Sequence, residues 1–123
     1  MENVLVVDDS NTMREIVSGF LLKNGFDVVT ATDGRDGLNQ LRNDPGIKLV
    51  VSDINMPVMD GLAMAEKVRT ELGNTAVRII MLTTEDNAQI RERGKAAGVN
   101  GWIVKPFRGE AVLGPFKKFC GME

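Results

Sequence analysis

Three aspartates, a threonine and a lysine follow apolar runs in this chain of 123 residues. Asp8 and Asp9 come after residues 4–7, Asp53 after 49–52, Thr83 after 79–82 and Lys105 after 102–104. Each run reads as a buried strand, and the carboxyl ends of strands in a parallel sheet open onto one edge. Three carboxylates, a hydroxyl and an ammonium are therefore expected to converge. Two carboxylates about 4 Å apart at an effective dielectric of about 20 repel by about 4 kcal/mol, and a third adds to that. A counterion is required. Lys105 offers one positive charge, while three acidic oxygens with a backbone carbonyl nearby suit a hard divalent cation such as Mg2+. Such a shell is short of one ligand, which a phosphoryl oxygen would complete. Aspartate is an established nucleophile for phosphoryl groups, and the transfer needs mainly positioning and charge neutralisation. The metal, Lys105 and the Thr83 hydroxyl would supply both.

The elements that must position these groups alternate along the chain. Strand cores are predicted at 4–7, 28–30, 49–52, 79–82 and 102–104, which are rich in branched and aromatic residues. The first helix shows Met13, Ile16, Val17, Phe20 and Leu21 on one stripe, with Thr12 and Glu15 as a capping box and Gly25 as a stop. Asp33-Gly34 and Asp60-Gly61 read as starts of the second and third helices, which makes Asp60 a cap rather than a site residue. A fourth helix over 87–97 has a thin apolar stripe and should be loosely held. Gly114-Pro115 interrupts the last segment, and a proline in a helix interior costs about 3 kcal/mol, so a kink or a helix restarting at Pro115 is expected. Five strands alternating with five helices imply an α/β fold with a doubly wound parallel sheet, flavodoxin-like in its order 2-1-3-4-5, over one domain spanning 1–123. The switch point lies between strands one and three, which Asp8, Asp9 and Asp53 terminate.

Composition removes other classes. A net charge of −2 gives no basic footprint, so neither direct nucleic-acid binding nor a polybasic membrane contact is expected. No apolar run approaches the roughly 18 residues that span a bilayer, and no signal-like segment follows Met1-Glu2-Asn3. Cys120 is the only cysteine and reads as a spectator, consistent with a reducing cytoplasm. Histidine is absent, which eliminates Ser-His-Asp chemistry and the usual zinc sets. No glycine-rich loop cradles a phosphate, which disfavours a flavin-binding flavodoxin. Met56, Met59, Met64 and Met81 read as packing or loop contacts.

Four motifs stand in order here: Asp8-Asp9, then Asp53-Ile54-Asn55-Met56-Pro57 through Met59-Asp60-Gly61, then Thr83-Thr84-Glu85, then Lys105-Pro106-Phe107. Over essentially its whole length the chain resembles a response-regulator receiver domain of the single-domain, CheY-like chemotaxis type. That resemblance implies a phosphorelay switch in which Asp53 takes a phosphoryl group from a phosphohistidine on a sensor kinase. It further implies Mg2+ held by Asp9, Asp53 and the Asn55 carbonyl, with Asp8 acting through water and Lys105 bridging to the phosphoryl oxygens. Thr83 would swing in to bond the phosphoryl group, and the ring at position 102 would turn inward. The family usually carries Tyr or Phe there, whereas this chain has Trp102. Asn55 and Glu85 sit where the family places side chains near the attacking water, a combination resembling receivers that lose their phosphoryl group quickly. The implied output is a downstream target protein bound by a monomer, through the face of the fourth helix, fifth strand and last helix. The residue after Lys105 implies a pinned loop, with a cis bond to Pro106 as in the family.

Two other classes compete with this reading. An aspartate-nucleophile phosphatase of haloacid-dehalogenase type wants an acidic residue two positions after the nucleophile, where Asn55 stands. A phosphate-independent interaction module has no need of an intact Asp8, Asp9, Asp53 and Lys105 set. The chain is expected to be a single-domain regulator, the alternative being a receiver excised from a larger regulator or hybrid kinase.

Overall fold

Apolar residues in the strand runs alternate between two destinations, and this alternation sets the layers. Leu5, Val7, Val50, Ile79 and Met81 join one buried cluster, whereas Val4, Val6, Leu49, Val51, Ile80 and Leu82 join another. Successive side chains in a strand point to opposite faces, so a sheet apolar at every position must be covered on both. The computed structural model describes residues 3–122. The reading of Met1 and Glu2 as a lead into the first strand, and of Glu123 as the tail, lies outside the described residues.

The elements run β1 (Asn3–Val7), α1 (Asn11–Lys23), β2 (Asp27–Ala31), α2 (Gly34–Asn43), β3 (Ile47–Ser52), α3 (Gly61–Thr70), β4 (Arg78–Thr83), α4 (Ala88–Ala97), β5 (Gly101–Val104) and α5 (Gly109–Phe119). The strands form one parallel sheet in the order β2-β1-β3-β4-β5, as the alternation predicted. Leu38 and Leu41 of α2, Leu62, Met64, Ala65 and Val68 of α3, and Ala97 of α4 cover one face. Val17 and Leu21 of α1 with Phe116 of α5 and Cys120 cover the other. Met64 and Met81 are fully buried and Met56 and Met59 pack against the same cluster, so the methionines serve as packing. Among the described residues, no helix is long and apolar enough to cross a membrane.

Helix starts follow the expected chemistry with one correction. Asp33, Asp60 and Asn87 cap α2, α3 and α4, their side chains accepting from the backbone N–H of Asp36, Ala63 and Ile90. The first helix, however, is capped by Ser10, whose Oγ accepts from the Met13 N–H at 3.3 Å; Thr12 and Glu15 form no capping box and lie inside the helix. The reason is local. Asp8 Oδ1 accepts the N–H of Ser10 at 2.9 Å, a turn that bends the chain immediately after β1 and brings the helix start forward. Gly25, with φ +91°, follows the C-terminal cap of α1 as expected of a stop.

Of the two expectations for the last helix the restart is corrected, since α5 continues from Gly109 to Phe119 with Pro115 inside it. Proline crowds the Cβ of the residue before it, and Gly114 has none. Pro115 is exposed, so the Ala111 carbonyl that loses its partner can face water. Pro115→Ala restores that donor and should stabilise the fold by about 1–3 kcal/mol in urea denaturation. A loss of stability would show that proline's fixed φ outweighs its missing N–H.

Candidate functional site

Parallel pairing continues one residue beyond three strands and thereby fixes the acidic edge. Val7 lies opposite both Ala31 and Ser52, and Thr83 lies opposite Val104. The next residues are then held by backbone bonds: Asp8 N–H donates to Ala31 O at 3.1 Å, Asp53 N–H to Val7 O at 2.9 Å and Lys105 N–H to Thr83 O at 2.9 Å. The polar residues named from the sequence are thus brought together by the ladder itself.

Carboxylate oxygens of Asp8, Asp9 and Asp53 lie within 4.8 Å of one another. Lys105 Nζ stands 3.6 Å from Asp53 Oδ2 and 3.8 Å from Asp8 Oδ2, so one cation is shared by two carboxylates. The Lys105–Pro106 bond is cis. Asp8 is buried at 3% exposure, Asp53 is half-buried and Asp9 is exposed. Burial pushes the Asp8 carboxyl above its ordinary 3.8; the Ser10 N–H opposes this, Asp53 adds to it, Lys105 opposes it and Asp9 adds a little more. Asp53 Oδ1 already accepts the Ile54 N–H at 2.8 Å, which leaves Oδ2 facing Lys105.

The donor set fits Mg2+. That ion takes hard oxygen ligands at about 2.1 Å, so opposed ligands lie about 4.2 Å apart, a span that three oxygens within 4.8 Å nearly meet before any ion draws them in. One shared lysine leaves the cluster negatively charged, which is the electrostatic reason a cation should bind.

The remaining named residues take these places. Thr83 is buried, and its Oγ1 accepts the Glu85 N–H at 3.0 Å, leaving its own proton free to donate. Asn55 and Glu85 are exposed, and Asn55 Nδ2 donates to Glu85 Oε1, so these two side chains meet across the mouth of the edge. Trp102 is half-buried on β5, away from the carboxylates and against α4, with Arg91 Cζ 5.6 Å from its ring centroid.

Several supports escaped the sequence reading. Arg14 donates to the Asp8 carbonyl at 2.6 Å and to Asn11 Oδ1 at 3.1 Å, buttressing the β1–α1 turn from outside. A cation in a first helical turn opposes the helix dipole, which is the signal that could have flagged it. Ser52 Oγ donates to Asp53 O at 2.8 Å, and a Cβ on Gly61 would overlap that same carbonyl, so glycine is what lets α3 start so close to Asp53. Between them, Val58 has φ +70° and the Met59 N–H donates to Pro57 O at 2.7 Å, a γ-turn of the strained hand. Its side chain is 74% exposed, so no packing explains the strain, which falls in the loop carrying Asn55.

Comparison with known proteins agrees with this geometry. The response regulator receiver domain model matches residues 4–114. The chain is 42% identical over 105 residues to the chemotaxis protein CheY homolog of Campylobacter jejuni, covering 85% of this chain and 81% of that protein. Its fold matches chemotaxis protein CheY4 of Vibrio cholerae with TM-score 0.89 at 39% identity, over 97% of this chain and 98% of that one. It also matches the CheX–CheY–BeF3–Mg2+ complex from Borrelia burgdorferi with TM-score 0.86 at 30% identity, over 95% and 87% of the two chains.

The raised Asp8 carboxyl fixes the sign of a pH effect. Because its folded pKa lies above its unfolded value, the stability it contributes is fully present below the unfolded pKa and is lost as pH rises through the folded one. Without metal, Asp8→Asn should therefore melt above wild type at about pH 7, with the gap closing towards about pH 4. Added Mg2+ should narrow the gap at pH 7, since wild type alone keeps all three carboxylates; saturation at 100 times the dissociation constant raises stability by about 2.7 kcal/mol. A variant less stable than wild type in metal-free buffer at neutral pH would contradict the assigned repulsion.

Proposed function

The chain belongs to the response regulator receiver family, and from that premise we propose that residues 1–123 form one receiver domain whose Asp53 accepts a phosphoryl group. The observation that carries this is Asp53 Oδ2 facing Lys105 Nζ at 3.6 Å, beside two further carboxylates at the carboxyl edge. It is a signalling protein with CheY-like relatives, so the product is a changed surface rather than a released compound.

In the proposed reaction Asp53 Oδ2 attacks phosphorus of a phosphohistidine on a sensor kinase. An O–P bond forms, the N–P bond breaks, and the imidazole nitrogen keeps the electron pair. Mg2+, held by Asp9, Asp53 and the Asn55 carbonyl with Asp8 behind a water, would supply the charge neutralisation that lets an anionic phosphoryl group approach three carboxylates. Lys105 shifts its point charge from Asp8 and Asp53 to a phosphoryl oxygen. Thr83, whose proton is free, donates to another, and in moving it surrenders the Glu85 N–H and alters the loop towards α4. Trp102 then changes its packing, and the face of α4, β5 and α5 presents a new surface to a target protein. The same chain would act in the cytoplasm as a monomer and would catalyse its own phosphorylation and dephosphorylation. The CheX–CheY complex among its structural relatives supports binding of a protein partner.

Acetyl phosphate with Mg2+ should add one phosphoryl mass to the wild-type protein and none to Asp53→Asn. Labelling that persists in the folded Asp53→Asn protein would place the acceptor elsewhere. Lys105→Ala should still bind metal yet fail to pass the signal on.

Asn55 and Glu85 border the approach of an in-line water with an amide and a carboxylate rather than with bulky or basic side chains, which leaves that approach open. The phosphorylated form should therefore decay within roughly seconds to minutes. Replacing both residues with bulky or basic side chains should lengthen that lifetime, and a half-life of many hours in the unmodified protein would contradict the open-mouth reading.

A further inference from the structure

We propose that Asp86, Arg91 and Gly94 are positioning residues that hold the Trp102 indole in a resting seat on α4, and that this seat ties the indole to the loop leaving Thr83. The first part stands on geometry alone; the second rests on the phosphoacceptor reading of Asp53.

The seat begins with a missing side chain. Gly94 is buried in the middle of α4, and a Cβ there would overlap the six-membered ring of Trp102, coming within 2.9 Å of Cη2. Glycine in a helix interior is unfavourable by about 1 kcal/mol relative to alanine, so the position calls for a packing reason. The indole supplies it. Trp102 joins the apolar cluster that contains Ala97 and Ile90, so its ring is packed by α4 on one side.

The outer side of the ring is closed by Arg91. Its guanidinium carbon lies 5.6 Å from the indole centroid, within the range at which a cation is attracted to an aromatic face. Arg91 does not reach the ring as a free chain. Its Nε donates to Asp86 Oδ1 at 2.6 Å and its Nη2 to Asp86 Oδ2 at 3.1 Å, a two-point fork that fixes the plane of the guanidinium. Each group is raised in its hold on charge by the other, the Asp86 carboxyl lowered by Arg91 and the Arg91 guanidinium raised by Asp86.

Asp86 lies three residues after Thr83, in the loop whose first turn is closed by the Glu85 N–H donating to Thr83 Oγ1. A continuous set of contacts therefore runs from the Thr83 hydroxyl through residues 84–86 to Arg91 and onto Trp102. The Asp86–Arg91 pair is well exposed, with side chains 37% and 48% accessible, and exposed pairs are weak. Weakness suits this place, because an interaction that must open when the loop moves cannot be a strong one. If Thr83 turns to a phosphoryl group, the loop loses its first turn, Asp86 shifts, and the indole loses its outer wall.

Acrylamide quenching of the sole tryptophan tests the seat in the resting protein. Arg91→Ala and Asp86→Ala should each raise the quenching constant about twofold, and Arg91→Lys, which keeps the charge but loses the fork, should fall between them and wild type. Gly94→Ala should displace the ring in the same direction. With Mg2+ and beryllofluoride, linkage requires that variants lacking a resting-state contact bind the analogue more tightly, by about fivefold, and show a smaller emission change on binding. Quenching and analogue affinity equal to wild type in both Arg91→Ala and Asp86→Ala would overturn the proposal. A wild-type protein that bound no analogue would overturn the phosphoacceptor reading and the coupling with it, while quenching would still decide whether the clamp exists.

Discussion

Asp8, Asp9 and Asp53 repel one another, and much of the structure around them serves to hold them together. Their positions are not set by attraction among side chains but by the backbone. Asp53 is pinned to Val7 and Asp8 to Ala31 by hydrogen bonds that extend the parallel ladder past the strand ends. That ladder needs a sheet buried on both faces, which the alternating apolar residues of β1, β3 and β4 secure. A rigid core thus stores unfavourable electrostatic energy at one edge, where a cation or a phosphoryl group can release it. The Ser10 and Ile54 N–H groups and the single shared lysine reduce the repulsion without removing it.

The same edge borders a part of the fold with few fully buried side chains. β5 has four residues, none of them fully buried, and α4 buries only Gly94 and Ala97. Few buried contacts mean a small free-energy gap between alternative packings, which is the condition under which a local charge can shift a population. The opposite end of β5 is firmer. Phe20 and Phe107 meet edge to face with centroids 5.7 Å apart, and a Cβ on Gly109 would overlap the Phe20 ring, so the segment after Lys105 is anchored on α1. Lys105 is accordingly held from a firm side, whereas Trp102 sits on a yielding one.

Sequence order and residue type made the sheet order, the strand cores and the acidic edge legible, because each depends on period and on where an apolar run stops. The helix starts at Asp33 and Asp60 were legible from the residue pairs Asp33-Gly34 and Asp60-Gly61, whereas Asn87 was placed inside α4 and proves to be its cap. Ser10 was missed because two cap-like sequences overlap, and the choice between them is made by a bond from its N–H to Asp8 that neither pattern contains. A restart of α5 at Pro115 stayed open in the sequence because propensity weighs the proline, while Gly114 and solvent decide how much it matters. Arg14 could be flagged by its place in a first helical turn but not given its partner, and Gly61 and Gly94 could not be assigned in advance. Their roles depend on which carbonyl or ring approaches them in space, and no spacing along the chain records that.

A divalent cation at the carboxyl edge is located most directly by NMR with Mn2+ in place of Mg2+, since paramagnetic broadening falls steeply with distance from the ion. Backbone amides of Asp8, Asp9, Asp53 and Asn55 should broaden first, with Thr83 and Lys105 next and the opposite edge around Gly46 and Asn74 unaffected; excess Mg2+ should restore all of them. Broadening centred on another acidic group, such as Asp44, with the ends of β1 and β3 unchanged, would contradict the assignment of this edge as the metal-binding and phosphoryl-accepting site.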